Sequence, residues 1–350
     1  MFRPQDLQYR SFFSFSNRLR AISPKGLSPK SSLTPDLMDI LQQFDETIAE
    51  RLIPLVPKSK TDVSSFEWVK SAIEALCAIQ GDIRSLISKL DIPITNWDER
   101  WVDLYLDTTV NLLDLCIAFS SEIMRINQGN LFLQCASHAL ESDASNHFSR
   151  ARSSLTAWSQ MVSGKNPRMD NCSKIIGILL KSTYIPAGKI SGKGKVLMSG
   201  MYGARVVTVH LCSVFATILT GDCSNMVYIE VPESYAWGTR VKEMQCMVNG
   251  LLREVVNERK VAILSEVNAV DLAVKSLGKG VEVGGGKNEV KELKNGVERL
   301  GYAMEILEKE VDALFKVVMA GRDALLSTLR PASLPHHDNF LPFRKQQKVV

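Results

Sequence analysis

From Val290 onward the apolar residues fall at Leu293, Val297, Leu300, Met304, Leu307, Val311, Leu314 and Val318, alternating steps of three and four over four heptads. Such a run makes one continuous face only as an α-helix, because a strand would throw alternate members to opposite sides. A stripe of this length is not stable bare in water, so the chain must supply other helices to cover it. Before it lie Gly278, Gly280, Gly284, Gly285 and Gly286, and before them a helical pattern from about Ser234 to Leu277. That pattern runs through Trp237, Val241, Met244, Val248, Leu251 and Val255, then shifts to Val256, Ile263, Val267, Val270 and Val274. A glycine-rich joint closes a loop at little entropic cost, which predicts a long antiparallel coiled-coil-like helical hairpin over residues 234–330. Self-association through the same seam is the alternative.

The rest of the body repeats the helical spacing. Thr34-Pro35-Asp36 supplies a cap, a first-turn proline and a first-turn acid for a helix carrying Leu37, Ile40, Leu41, Phe44, Ile48 and Leu52, stopped by Pro54. A second helix is expected over 62–90. A third runs from an Asn96 cap, with Glu99 three residues on, to a C-terminal cap at Gly129. A fourth is expected over 131–162 with Phe132, Cys135, Leu140, Phe148, Leu155, Trp158 and Val162 inward, and a short fifth over 169–181. Residues 226–231 resemble a strand with nothing to pair with. The fold class is therefore all-α: a multi-helix bundle over 35–330, between a disordered basic Ser/Phe-rich leader (1–34) and a disordered basic tail (331–350).

Charge is divided the same way. Arg3, Arg10, Arg18, Arg20, Lys25 and Lys30 face Asp6 alone in the leader, a net +5, and residues 331–350 carry +2. With +4 overall, the body is −3, which argues against nucleic acid as a partner, since phosphate binding needs clustered cations on the folded surface. The leader suits a plastid-type transit peptide, an interfacial membrane contact or a partner-binding segment, with an unaddressed tail as the plain alternative. Seven cysteines, an odd count without a C-x-x-C pair, fit reduced and buried thiols inside the cell.

The most apolar stretch, Val206–Leu219, extends back to Val196 as 24 residues interrupted by Arg205 and His210. A central helix buried by its neighbours and a membrane segment both satisfy this composition, although a mid-span arginine costs about 2.5–3.5 kcal/mol on insertion scales. The loop Gly188-Lys189-Ile190-Ser191-Gly192-Lys193-Gly194-Lys195 lacks both the spacing and the final Ser/Thr of a phosphate-binding loop and is expected to be a linker. Gly280–Gly286 has no preceding strand to make a dinucleotide site. Asp103, Asp107 and Asp114 share a helix face without a Glu-x-x-His pair to complete a metal site. His138, His147 and His336-His337-Asp338 have no nameable partner. No catalytic, cofactor or metal residues are assigned.

Several stretches do match together: Trp68-Val69-Lys70 through Leu76-Cys77; Trp97 and Trp101-Val102-Asp103 with Tyr105-Leu106-Asp107; Leu112-Leu113-Asp114-Leu115-Cys116 through Ser120-Ser121-Glu122; and Gln128-Gly129. With Arg3-Pro4-Gln5-Asp6 and Val311-Asp312-Ala313-Leu314-Phe315 through Leu326, they resemble the land-plant BYPASS family of all-helical proteins. The resemblance implies a non-enzymatic regulator of root and shoot development that restrains a root-derived, carotenoid-related mobile signal. It carries over no active site. Protein partners are expected, acting through helix faces and the basic ends. Relatives described as plastid proteins, or as membrane-associated and exocyst-linked, leave plastid, cytoplasm and endomembrane as locations. The alternatives are a membrane adaptor, through 196–219 or the leader, and a binder or enzyme for a carotenoid-derived metabolite.

Overall fold

The computed structural model describes residues 18–19, 33–92, 99–142, 147–181, 191–258, 263–280 and 287–329. The expected disorder of leader and tail falls outside these residues, as do the Asn96 cap, Gly284–Gly286 and His336–Asp338. In the leader, Arg18–Leu19 forms a short strand, β1.

Helix α1 (Pro35–Leu52) begins and ends as its sequence predicts, burying Leu41, Phe44, Ile48 and Leu52. The second helix is instead two, α2 (Lys60–Val63) and α3 (Phe66–Leu90). Serines make the break: the Ser64 hydroxyl donates to the Lys60 carbonyl at 2.9 Å, and the Ser65 oxygen caps α3 by accepting the Trp68 N–H at 3.2 Å. Such side-chain bonds compete with the helical ladder.

The third and fourth helices divide elsewhere than expected. Helix α4 runs from Glu99 to Glu141 without a stop at Gly129, and α5 covers His147–Ser163. Gly129 is a packing position: a Cβ there would meet the Trp158 ring at 3.0 Å and overlap the Met161 methyl. The glycine lets α5 lie close on α4. Because α4 continues, its buried face passes through Ile126, Leu133, Ala136 and Ala139, leaving Phe132, Cys135 and, on α5, Phe148 exposed, against the expectation.

After α6 (Pro167–Asp170) and α7 (Cys172–Lys181), helix α8 spans Gly192–Thr220. Its first turn takes up Gly192–Lys195, expected as linker, because Ser191 caps it by accepting the Gly194 N–H at 3.1 Å. Of its 29 residues 24 are buried, as α1, α3, α4, α7 and α9 pack around it. Gly200 and Gly203 admit Leu86, Phe44, Ile48 and Trp237 against its backbone. Gly221, at φ +75°, ends it in the left-handed conformation that glycine favours.

The strand expected to be alone, β2 (Tyr228–Ile229), pairs in parallel with β1, Arg18 opposite Tyr228 and Leu19 opposite Ile229. Side-chain amides from α9 (Gly238–Glu258) also hold this segment: Gln245 accepts the Ile229 N–H at 2.8 Å and donates to its carbonyl at 3.1 Å.

The long 234–277 helix is likewise two, α9 and α10 (Ser265–Gly280). Only α10 forms the hairpin with α11 (Lys287–Leu329), crossing where Gly296 meets Val270; α9 packs on α1, α2 and α8. The α11 seam is buried from Leu293 to Val318, chiefly against α4 and α3. Lys294 reaches Glu141 at 2.9 Å and Arg322 donates to the Leu106 carbonyl at 3.1 Å, so the two 43-residue helices run antiparallel along their length. The seam is longer than α10, and α4 is long enough to cover the remainder.

Candidate functional site

The acids singled out by sequence do not converge. Asp103, Asp107 and Asp114 are exposed on α4, and His138 lies exposed near that helix's C-terminus. Among the described residues no group of three or more His, Cys, Asp or Glu side chains is placed to hold a metal. Of the cysteines, Cys116, Cys172 and Cys212 are buried, Cys77 and Cys223 half-buried, and Cys135 and Cys246 exposed; none is bridged. Burial pushes the Cys116 thiol up to about 12 and those of Cys77 and Cys172 to about 11, which keeps them protonated and unreactive at neutral pH.

Arg205 and His210 lie inside the bundle on α8. Burial lowers the Arg205 guanidinium to about 10, so it still carries its charge beside Tyr105, Thr109, Thr208 and Gln80. Burial drives the fully enclosed His210 imidazole down to about 4, against a weaker opposing influence from the Val227 backbone. A neutral imidazole enclosed in the core has no route to a substrate.

Among the described residues, two of the clefts gather three or more ionisable groups. One, about 210 Å³, lies where α4, α5, α6 and the end of α8 meet. Arg125 grips Glu122 in a two-pronged pair, Nε to Oε2 at 2.9 Å and Nη2 to Oε1 at 2.6 Å, and also donates to the Met161 carbonyl at the end of α5. Asn166, which caps α6 by accepting the Arg168 N–H at 3.0 Å, donates to Glu122 Oε2 at 3.0 Å. Across the cleft, Asp222 accepts the Ser224 N–H at 2.8 Å and the Ser173 hydroxyl donates to Asn225 at 2.7 Å. These polar groups fasten helix ends to one another. The volume also falls below the roughly 300–1,000 Å³ usual for small-molecule pockets.

The other cleft, about 470 Å³, lies in that range. It opens between the start of α3, the start of α10 and the middle of α11, lined by Phe66, Glu67, Glu266, Arg299 and Tyr302. The break at Ser64 creates it: the Ser64 carbonyl accepts the Ser265 N–H at 2.8 Å and docks the first turn of α10 beside α3. Tyr302 stands edge-on to Phe66, centroids 5.9 Å apart, and remains exposed. Burial raises the Glu266 carboxyl above its ordinary value, opposed by its own and the Phe66 backbone amides and the Ser265 hydroxyl and reinforced by Glu67. The set can recognise a ligand through one carboxyl, one guanidinium and two rings. Ser265 also lines the cleft, its hydroxyl 3.2 Å from Glu266 Oε1 and 3.1 Å from the Ser64 carbonyl, so this hydroxyl and carboxylate hold the start of α10 against α3.

Sequence reasoning named neither cleft. The Glu122/Arg125 spacing on one helix and Asn166 before a proline are visible signals, but nothing local joins residue 122 to 166, or 66 to 302.

Comparison with known proteins finds relatives over nearly the whole chain. A family model described as ROH1-like matches residues 4–174. The chain is 39% identical over 331 residues to Protein BPS1, chloroplastic, of Arabidopsis thaliana, covering 94% of this chain and 93% of that one. It is 35% identical over 272 residues to UPF0496 protein 4 of Oryza sativa subsp. indica, 77% of this chain but 59% of the rice protein's length. A 123-residue stretch is 29% identical to Protein ROH1D of Arabidopsis thaliana, covering 34% of this chain and 31% of that one. No solved structure matches. Identity at this level, sustained over nearly the whole of both chains, places the protein in the BYPASS family.

Proposed function

We propose that this chain is a non-enzymatic regulator of root and shoot development in plants, a helical scaffold that restrains a root-derived, carotenoid-related mobile signal by binding other proteins. One observation carries the scaffold reading: the charged side chains drawn into the smaller cleft, Glu122 and Arg125, are bonded to backbone and side chains that hold helix ends. Kinship with a protein named chloroplastic supports a plastid location. A membrane span through α8 would require stripping away the helices that bury 24 of its 29 residues.

The cleft of about 470 Å³ favours a second reading, a binder for a carotenoid-derived metabolite. The two separate in one experiment. The family reading predicts that Arabidopsis plants lacking BPS1 grow abnormally and that this chain restores them. Glu266→Gln combined with Arg299→Ala should restore growth equally. Failure of the unaltered chain would sink the regulatory reading. Failure of the cleft variant alone, at normal protein level, would establish the binder.

A further inference from the structure

Helix α4 carries a line of aliphatic side chains that the bundle leaves open. Val110, Ile117, Met124 and Leu131 are 44%, 44%, 53% and 56% exposed. Single exposed hydrophobics are ordinary on any surface. Four at successive seven-residue steps on one helix, spanning about 31 Å, form a seam. A straight helix lets such a line drift by about 20° per heptad, so it is best covered by another helix winding around it with a left-handed twist.

Charge along α4 selects the occupant. Asp103, Asp107 and Asp114 are exposed in its N-terminal half. From Met124 to His138 the exposed positions carry no acid, only Gln128, Leu131, Phe132, Gln134, Cys135 and His138 itself. A second copy laid antiparallel, with its two-fold axis between Ser120 and Ser121, sets Val110 opposite Leu131 and Ile117 opposite Met124. The same register sets Asp103 opposite His138 and Asp107 opposite Gln134. A parallel pairing would instead stack aspartate on aspartate. The two serines are small, allowing the helices to approach at the centre, and every contact on one side of the axis is repeated on the other, as a two-fold interface requires.

We propose that the protein forms a homodimer through this face of α4, the two helices antiparallel about Ser120–Ser121.

The test uses the full chain. Light scattering across micromolar to near-millimolar concentrations should give twice the 38.9 kDa chain mass. Ile117→Glu with Met124→Glu should raise the dissociation constant at least about a hundredfold, because it places four carboxylates in the apolar contact. Circular dichroism and the unfolding midpoint should barely change, since both side chains are exposed. For direction, Val110→Cys with Leu131→Cys should crosslink under mild oxidation through a 110–131 disulfide, located by peptide mass spectrometry, while neither single variant forms a symmetric bond at its own position. A monomer throughout would overturn the proposal and leave the seam to a helix of another protein. A dimer indifferent to Ile117→Glu, or joined 110 to 110, would overturn it as well.

Discussion

His210 sits in α8 with no solvent exposure, and burial holds its imidazole at about 4 instead of the ordinary 6.5. The unfolded chain therefore takes up a proton between these values that the folded chain refuses. Stability from this residue is intact above pH 6.5, falls as pH drops toward 4, and levels off below. The displacement corresponds to about 3 kcal/mol at full effect and about 2–3 kcal/mol at pH 4.5. For a protein whose total stability is of the order of 5–15 kcal/mol, that is a large share. Other groups titrate in the same window, Glu266 among them with the opposite sign: its raised value stabilises the fold at low pH and is lost as pH rises through it. The informative quantity is therefore a difference. Urea unfolding of the native chain and of His210→Gln, at pH 7.5 and 4.5, should show the native chain losing about 2–3 kcal/mol more than the variant. Parallel losses in the two proteins would refute the claim that this imidazole is held neutral by the core.

Glycine substitutions should divide by environment: Gly250→Ala, with nothing within 4 Å of the added methyl, should raise stability by about 1 kcal/mol in urea titrations, whereas Gly129→Ala, against Trp158, should lower it by about 1–2 kcal/mol. Arg125→Ala leaves the 3%-exposed Glu122 without its counter-ion and should cost about 3 kcal/mol by the same assay; a change under about 1 kcal/mol would mean the clamp is ornamental. Along α11, Leu300→Ala should cost about 2–5 kcal/mol and Tyr302→Ala under about 1 kcal/mol, a contrast read as the shift in unfolding midpoint.

Local pattern carried far in some places and failed in identifiable ways in others. α1 begins at Pro35 as its cap residues predict, because cap, proline and apolar stripe act within a few residues of each other. Gly129 misled: a glycine after a periodic run is the usual sign of a helix end, and the same residue serves where another helix presses close. Ending α4 at Gly129 rotates the inward face expected beyond it onto Phe132 and Cys135, which are exposed. The serines at 64 and 65 are an interruption the apolar pattern overrides but the hydrogen bonds do not. Neither cleft was legible, since each joins residues from three or more helices.

Periodicity and capping alone were enough to establish an all-helical chain, a continuous buried seam on its last long helix, and helix starts at Pro35 and Lys287 within a few residues. These follow from interactions spanning a turn or two. Tertiary structure alone decided that the seam lies mainly on α4 and α3, that Val206–Leu219 is enclosed by protein, and that Gly129 is a contact and not an end. Each of those depends on which of several apolar faces meet, and faces of similar width and hydrophobicity are interchangeable until shape, helix length and the few polar bonds between them select one arrangement.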